Sequence, residues 1–371
     1  MERFWSFGKS AFGNYDFRQL VNTRIFEPFR DGTIQIVCDI DKTYLETSFE
    51  TKMQMLRIVL EEAKDKVTVQ GASPFLVACR WRHPYGLPGQ DEQLAPRPLH
   101  FVSASPPQLR NTLEEKLRYD GLDWTSDTFK NQAYNIRKGR IGLLRHHVAY
   151  KTATLYTIMK DAKPGSRFLL IGDNAEFDGY IYIGLALFLD GKLSADQYIR
   201  YLVAGGIQDE VATDLRKLLL SERPDVRVDG ILIREAPGYQ TVYHPPITDV
   251  IFTFGNYFEA LMLMIHRDMV DIRSLPRLVR RFHNQCLFPR ELLISNLESL
   301  KQYGRISEDD IGIVEKVIAS LGQVPLAEVL PTRNYFRDFC LDQLNLEGDR
   351  MVTEAEAWAS KLAKDSKDIT K

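Results

Sequence analysis

Four runs of mostly apolar residues constrain the fold of this chain more than any other feature. The runs are "TIQIVCDI" at 33–40, "PLHFVSAS" at 98–105, "SRFLLIGD" at 166–173 and "VRVDGILIR" at 226–234, and helical patterns separate them. Apolar strands that alternate with helices are typical of a parallel sheet whose two faces are both covered. We therefore predict an α/β fold, in which ligands bind beyond the carboxyl ends of the strands.

The stretches around these strands predict a domain organisation. We expect an N-terminal segment at 1–32, a core domain at 33–245 and a helical C-terminal lobe at 246–371. A small cap-like insertion after the first strand is expected at 44–97, because it contains the proline- and glycine-rich "RHPYGLPGQDEQLAPRP". Two helical patterns predict a second, helical insertion at 192–225.

The composition excludes some classes of function. The 371 residues carry a formal net charge of -2 at pH 7, so no overall positive field favours a nucleic-acid backbone. The longest apolar stretch, 251–266, is too short to cross a bilayer and contains Glu259. The first residues also lack the apolar core of a secretory signal. We therefore expect a cytoplasmic protein with no transmembrane segment and no nucleic-acid partner.

The cysteines fit a reducing compartment. They are far apart and form no C-x-x-C pair, so the sequence predicts neither a zinc site nor a redox dithiol. We expect buried thiols at Cys38, Cys79, Cys286 and Cys340.

Polar side chains end three of the four predicted strands. Asp39 lies near the end of the first run and Asp41 follows it, Ser103 lies near the end of the second, and Asp173 closes the third with Asp178 five residues later. A buried carboxylate costs several kcal/mol unless it is paired or bound to a metal. The carboxyl ends of parallel strands meet at one edge, so these groups should form an oxygen-rich pocket suited to Mg²⁺.

The same residue types can transfer a phosphoryl group. A carboxylate beside a metal ion can attack phosphorus and carry an aspartyl-phosphate, and a second carboxylate can move the proton of the leaving oxygen. A hydroxyl such as Ser103 and an ammonium such as Lys151 can hold the phosphate oxygens and offset their charge. The sequence thus predicts that Asp39 attacks and that Asp41 moves protons.

These residues, in this order, resemble a known family. The signatures D-x-D-x-T at 39–43 and G-D-x-x-x-x-D at 172–178, with Ser103 and Lys151 between them, resemble the four motifs of the haloacid dehalogenase (HAD) superfamily of phosphotransferases. "FVSASPPQL" and "LLIGDNAEFDGYIY" are similar to the patterns "YVSNSPWQL" and "LIGDSGEHDPEIY" of a phosphatidate phosphatase catalytic domain first named from an actin-patch protein. The resemblance covers residues 33–235.

The resemblance implies a Rossmann-like HAD core and a Mg²⁺-dependent phosphatase that acts on phosphatidate or a related lipid phosphate. It implies that Asp39 is the nucleophile and a metal ligand, and that Asp41 is the acid/base, with its backbone carbonyl facing the metal. Ser103 would bind phosphate, Lys151 would neutralise it, and Asp173 would complete the Mg²⁺ site.

Several neighbouring residues need a separate interpretation. By the resemblance, Asp178 belongs to the metal site as the group that orients metal-bound water or Lys151. Lys42 stands where the related pattern "DIDDT" has an acid, which changes the local charge by two units and leaves the substrate open. We expect Ser105, which precedes Pro106, to cap a helix.

Two other functions remain open. The first is a HAD phosphatase of a soluble metabolite, although a small insertion leaves the site open and suits a lipid better. The second is an interaction protein on a HAD scaffold, which the complete set of carboxylates disfavours. The arginine-rich stretch at 267–285 could contact an anionic membrane surface, or it could be an ordinary solvated helix face. His146 and His147 are expected to be polar surface residues.

Overall fold

The fold comes from a computed structural model of the chain. The residues that it describes are 21–27, 34–46, 62–81, 96–131, 147–221, 223–239, 251–302, 308–322, 352–353 and 357.

A mixed sheet forms the centre of the described structure. Its order is β1-β4-β3-β2-β5-β6-β7, and every neighbouring pair is parallel except β1 and β4, which are antiparallel. This sheet confirms the predicted α/β, Rossmann-like fold. The strands are β1 Val21–Ile25, β2 Ile34–Asp39, β3 Leu99–Ser103, β4 Ser126–Lys130, β5 Ser166–Asp173, β6 Val226–Arg234 and β7 Phe252–Phe254.

Helices cover both faces of this sheet. They are α1 Ala72–Trp81, α2 Arg110–Tyr119, α3 His147–Asp161, α4 Asp178–Leu189, α5 Ala195–Ala204, α6 Asp209–Ser221, α7 Tyr257–His266, α8 Leu275–Cys286, α9 Arg290–Gln302 and α10 Glu308–Ala319. Ile36 and Cys38 of β2 share one buried cluster with α1, α2 and α7 to α10, while Val37 shares another with α3 to α6. Because successive side chains of a strand point to opposite faces, an unbroken apolar run such as β2 serves both layers.

The four predicted strands are all present, as β2, β3, β5 and β6, and the described residues form three further strands that were not predicted. β4 was missed because its side chains are largely polar although all five residues are buried. Ser126 bonds to His100 of β3 and Asp127 pairs with Arg110 of α2, so neighbouring elements supply partners for the polar side chains of this strand. The other two, β1 and β7, are short strands at the two edges of the sheet.

The predicted insertions are seen in part. A 3-10 turn, Ala63–Asp65, and helix α1 lie in the small insertion, whose segments 47–61 and 82–95 fall outside the described residues. Helices α5 and α6 occupy the predicted helical insertion. The described residues of the C-terminal region are mainly helical, and they also include β7, which pairs with β6. The domain boundaries themselves stay a prediction.

The direction of chain progression changes at β2. The chain adds β3 and β4 on one side of β2, and then β5, β6 and β7 on the other. In open α/β sheets such a switch point opens a crevice at the carboxyl ends of the strands, where ligands bind. Asp39 is the last residue of β2 and therefore lies at this crevice. Among the described helices, none has the length and apolar character needed to span a membrane.

Candidate active site

The carboxyl edge of the sheet brings three predicted carboxylates together. Asp39 ends β2, Asp173 ends β5, and Asp178 begins α4 after a short loop. All three are buried, and each offers an oxygen atom that lies within 4.8 Å of the other two. Burial raises the pKa of all three carboxyl groups, and the pKa of Asp173 reaches about 7, with Asp178 adding repulsion. Such a cluster requires a nearby cation.

Lys151 supplies one positive charge to this cluster from the first half of α3. Its Nζ lies 2.8 Å from Asp39 Oδ1 and 2.9 Å from Glu176 Oε2, and it also bonds to Asp178 Oδ1. The contact with Asp39 is an ion pair, because its angles are not those of a hydrogen bond. Burial alone would lower the pKa of Lys151, but the three carboxylates raise it well above its usual value. Lys151 is therefore charged, but it is a single positive charge among four carboxyl groups, so a further cation would favour their ionised forms.

The donor set fits a hard cation. Asp39 Oδ2 is buried and accepts no hydrogen bond from any described residue. Asp173, in contrast, accepts the backbone N–H groups of Ala175 and Glu176 through Oδ1 and the hydroxyl of Thr43 through Oδ2. A buried carboxylate oxygen without a donor, beside two further carboxylates, is the kind of site that Mg²⁺ takes.

Asp41 lies apart from the carboxylate cluster and belongs to a hydroxyl cluster instead. Its Oδ2 accepts hydrogen bonds from Ser103 Oγ at 2.8 Å and Ser105 Oγ at 2.9 Å. Burial raises the pKa of the Asp41 carboxyl, while the two serine hydroxyls partly oppose that rise. The Asp41 side chain is thus separate from the group of carboxylates that could hold a metal. Its predicted metal contact through the backbone carbonyl stays a prediction.

The expected helix cap at Ser105 is wrong. The residue before the 3-10 turn Pro107–Leu109 is Pro106, and no side chain caps that turn. The Ser105 hydroxyl donates to Asp41 instead, and its backbone N–H donates to Ser103 Oγ. Ser105 is therefore a site residue, and the "SAS" pattern places both hydroxyls on one carboxylate.

Gly172 makes room for Asp178. A Cβ atom at position 172 would lie 2.4 Å from Asp178 Oδ2 and 2.6 Å from Asp178 Cβ. No side chain fits at such distances, so the glycine of the G-D motif allows the carboxylate of α4 to pack directly on β5.

Lys42 lies at the rim of the site on the side of β6. Its backbone is left-handed, with φ 58°, and its carbonyl accepts a hydrogen bond from Arg234 at 2.6 Å. Arg234 also pairs with Glu46 at 2.6 Å. The Lys42 ammonium lies 4.6 Å from the centre of the Tyr239 ring, in cation–π range. The half-buried Lys42 ammonium is close enough to oppose the rise in the pKa of Asp173, so it adds a positive charge beside the site.

Two further charged groups lie near the site and were not predicted from the sequence. Glu176 contacts Lys151, and its position between Asp173 and Asp178 was a readable signal, since three acids fall within six residues. Lys130 ends β4, is buried, and has its pKa lowered to about 8 by that burial. No sequence pattern indicated a role for Lys130, because the strand that it ends was not predicted. Of the histidine pair, His146 lies outside the described residues and His147 begins α3.

The comparisons with known proteins fall on the same part of the chain. Residues 34–200 match a family model described as "Phosphatidate phosphatase APP1, catalytic domain". The comparisons with curated proteins and with solved structures gave no match. The matched range contains Asp39, Asp41, Lys151 and the loop from Asp173 to Asp178. Over this range the chain is similar to a phosphatidate phosphatase catalytic domain, which supports the resemblance read from its motifs.

Proposed function

We propose that this protein is a Mg²⁺-dependent phosphomonoester hydrolase of the HAD type, acting on phosphatidate or a related lipid phosphate through an aspartyl-phosphate. One observation carries the proposal. Asp39, Lys151 and a carboxylate cluster converge at the switch point of the sheet, with Asp41 two residues away on its own pair of hydroxyls.

Asp39, Asp173 and Asp178 would hold the metal ion, with the backbone carbonyl of Asp41 as a further ligand. Bound there, Mg²⁺ offsets the negative charge of the substrate phosphate and of the carboxylates. The buried Asp39 Oδ2, which accepts no hydrogen bond from the described residues, supports this assignment.

In the first half-reaction, one oxygen of Asp39 attacks phosphorus and the bond between phosphorus and the ester oxygen breaks. Asp41 donates its proton to that departing oxygen, so the alcohol leaves neutral. The raised pKa of the buried Asp41 carboxyl supports its role as the acid. Lys151 and Ser103 hold non-bridging phosphate oxygens during this step.

In the second half-reaction, water attacks the aspartyl-phosphate. Asp41, now ionised, accepts a proton from that water, and the bond between phosphorus and Asp39 breaks. Inorganic phosphate leaves, Asp39 regains its carboxylate and Asp41 regains its proton. The Ser105 hydroxyl, which donates to Asp41, keeps its carboxylate oriented through both steps, while the single O–H of Ser103 turns from Asp41 to the phosphate.

The lipid assignment rests on the family match and on two surface features. Lys42 offers a cation at the rim of the site. Helix α8 and the turn before it present exposed arginines, Arg273, Arg277 and Arg280, suited to anionic headgroups at a cytoplasmic membrane surface. Arg273 is paired with Asp271, which reduces its share of that attraction.

Phosphate release tests this proposal. The substrates are phosphatidate in mixed micelles and a panel of soluble phosphate monoesters, each with Mg²⁺ and with a chelator. The proposal predicts Mg²⁺-dependent release from phosphatidate. Release from soluble esters alone would replace the lipid assignment with a metabolite phosphatase, and no release from any ester would favour an interaction protein on this scaffold.

A further inference from the structure

The surroundings of Lys151 raise a question about how it meets a phosphate. A lysine ammonium has three N–H groups. Three carboxylates, from Asp39, Glu176 and Asp178, already contact Nζ at 2.9 Å or less. Two of the N–H groups donate to Glu176 and Asp178, and Asp39 Oδ1 lies equally close as an ion pair. An anionic phosphate oxygen can therefore approach Nζ as closely, without repulsion from a neighbouring carboxylate, only if one carboxylate withdraws.

Two of the three carboxylates are fixed in place. The side chains of Asp39 and Asp178 are 1% and 0% exposed, and they are held at a strand end and a helix start. Asp178 is further confined by its packing on Gly172 and by its contact with the Asp173 N–H. Neither side chain can leave Lys151 without disturbing the sheet or α4.

Glu176 differs from them in both respects. Its side chain is 16% exposed, and it lies in the loop between β5 and α4. It also has one more methylene than an aspartate, so its carboxylate can move away by rotation within the side chain alone. Glu176 is therefore the partner that can withdraw toward solvent.

We propose that Glu176 occupies the phosphate position on Lys151 in the free protein and that the substrate phosphate displaces it. This inference rests on the proposed function, in which Lys151 binds phosphate. Glu176 is then a positioning residue: it holds Lys151 charged and in place between turnovers, and its departure opposes phosphate binding. Its removal should therefore tighten phosphate binding, whereas a permanent supporting role for Glu176 predicts weaker binding.

Two substitutions separate the contact from the general charge of the site. Glu176→Gln removes the charge and weakens the contact with Lys151. Glu176→Asp keeps the charge but is too short to keep the 2.9 Å contact. If Glu176 acted only through its long-range field, Glu176→Asp would bind phosphate as the wild type does. Displacement instead predicts tighter binding in both variants.

Calorimetric titration with inorganic phosphate, in the presence of Mg²⁺, measures this directly. We expect Glu176→Asp and Glu176→Gln to bind phosphate about three- to tenfold more tightly than wild type, as for loss of a partly exposed ion pair. Asp196→Asn, which removes an exposed carboxylate paired with Arg216, is the matched control and should bind phosphate as the wild type does.

The outcomes distinguish this inference from the function on which it rests. If the wild type binds phosphate and Glu176→Asp binds it equally well or more weakly, the displacement is wrong. The proposed phosphatase function would then still stand. Absence of phosphate binding in all variants, together with absence of hydrolysis, would overturn both. In a Lys151→Met background the gain from Glu176→Asp must vanish, and a gain that persists there would also overturn the inference.

Discussion

Gly172 and Asp178 are so closely packed that a Cβ atom on the first would lie 2.4 Å from Oδ2 of the second. The glycine at the end of β5 thereby fixes the position of a carboxylate on α4 and, through it, that of the Lys151 ammonium. The geometry of the site thus depends on a residue with no side chain.

The first prediction tests this packing. Gly172→Ala should push Asp178 away from β5 and lower kcat/KM by about 10²-fold, the loss typical of a misplaced catalytic group. Gly230→Ala is the matched control on β6, because its new Cβ meets only the flexible end of Leu169 at 3.0 Å. Equal activity of the two variants would contradict the role assigned to Gly172.

The second prediction concerns Asp41 as the general acid. Asp41→Asn should leave Mg²⁺ affinity largely intact, because the Asp41 carboxylate lies outside the cluster of three acids. Turnover should fall by about 10²- to 10⁴-fold for esters with poor leaving groups and much less for those with very good ones. Steady-state kinetics on a leaving-group series measures this, and an equal loss across the series would show that Asp41 is not the acid.

The third prediction concerns substrate class through Lys42. The left-handed backbone at position 42 also suits an aspartate, so Lys42→Asp should fold normally. If phosphatidate is the substrate, we expect little change in KM, because the related pattern carries an acid there. A rise of about three- to tenfold in KM for a soluble ester that wild type prefers, greatest at low salt, would contradict the lipid assignment. Lys217→Asp on α6 is the control for loss of an exposed lysine.

The fourth prediction concerns stability against pH through His100, a buried residue of β3 that contacts Gln35 and Ser126. Burial lowers the pKa of His100 to about 3, whereas an unfolded histidine has a pKa near 6.5. The unfolded chain therefore binds the proton first, and the stabilisation is complete above about pH 6.5 and is lost as the pH falls toward 3.

His100→Gln should remove that dependence. The free energy of unfolding of wild type relative to the variant should fall by roughly 4 kcal/mol between pH 7 and pH 3.5. Denaturant unfolding at a series of pH values measures the difference. Parallel pH profiles for the two proteins would contradict the assignment of a neutral, buried His100.

The strands that form the site were predictable, whereas some contacts within it were not. Asp39 and Asp173 follow unbroken apolar runs, and such runs become central strands of a parallel sheet, so their meeting at one edge follows from the fold class. Strand β4 was missed because the main partners of its buried polar side chains, His100 for Ser126 and Arg110 for Asp127, lie on other elements and leave no local pattern.

Within the site, spacing alone left two roles undetermined. The sequence between Asp173 and Asp178 indicates that three acids lie close together. The contact between Glu176 and Lys151 depends on the conformation of the loop before α4, which the spacing does not predict. Ser105 precedes a proline, which favours a cap by local rules, yet the turn after β2 offers the Asp41 carboxylate as a stronger partner. Tertiary contacts overrode the local pattern in both cases.

The central claim is that Asp39 carries the phosphoryl group. Rapid acid quenching of the enzyme during turnover, followed by mass spectrometry of its peptides, tests it most directly. We expect one phosphoryl group on Asp39 that hydroxylamine removes. Asp39→Asn should show neither a phosphorylated peptide nor turnover. A phosphoryl group on another residue, or activity of Asp39→Asn within about tenfold of wild type, would contradict this claim.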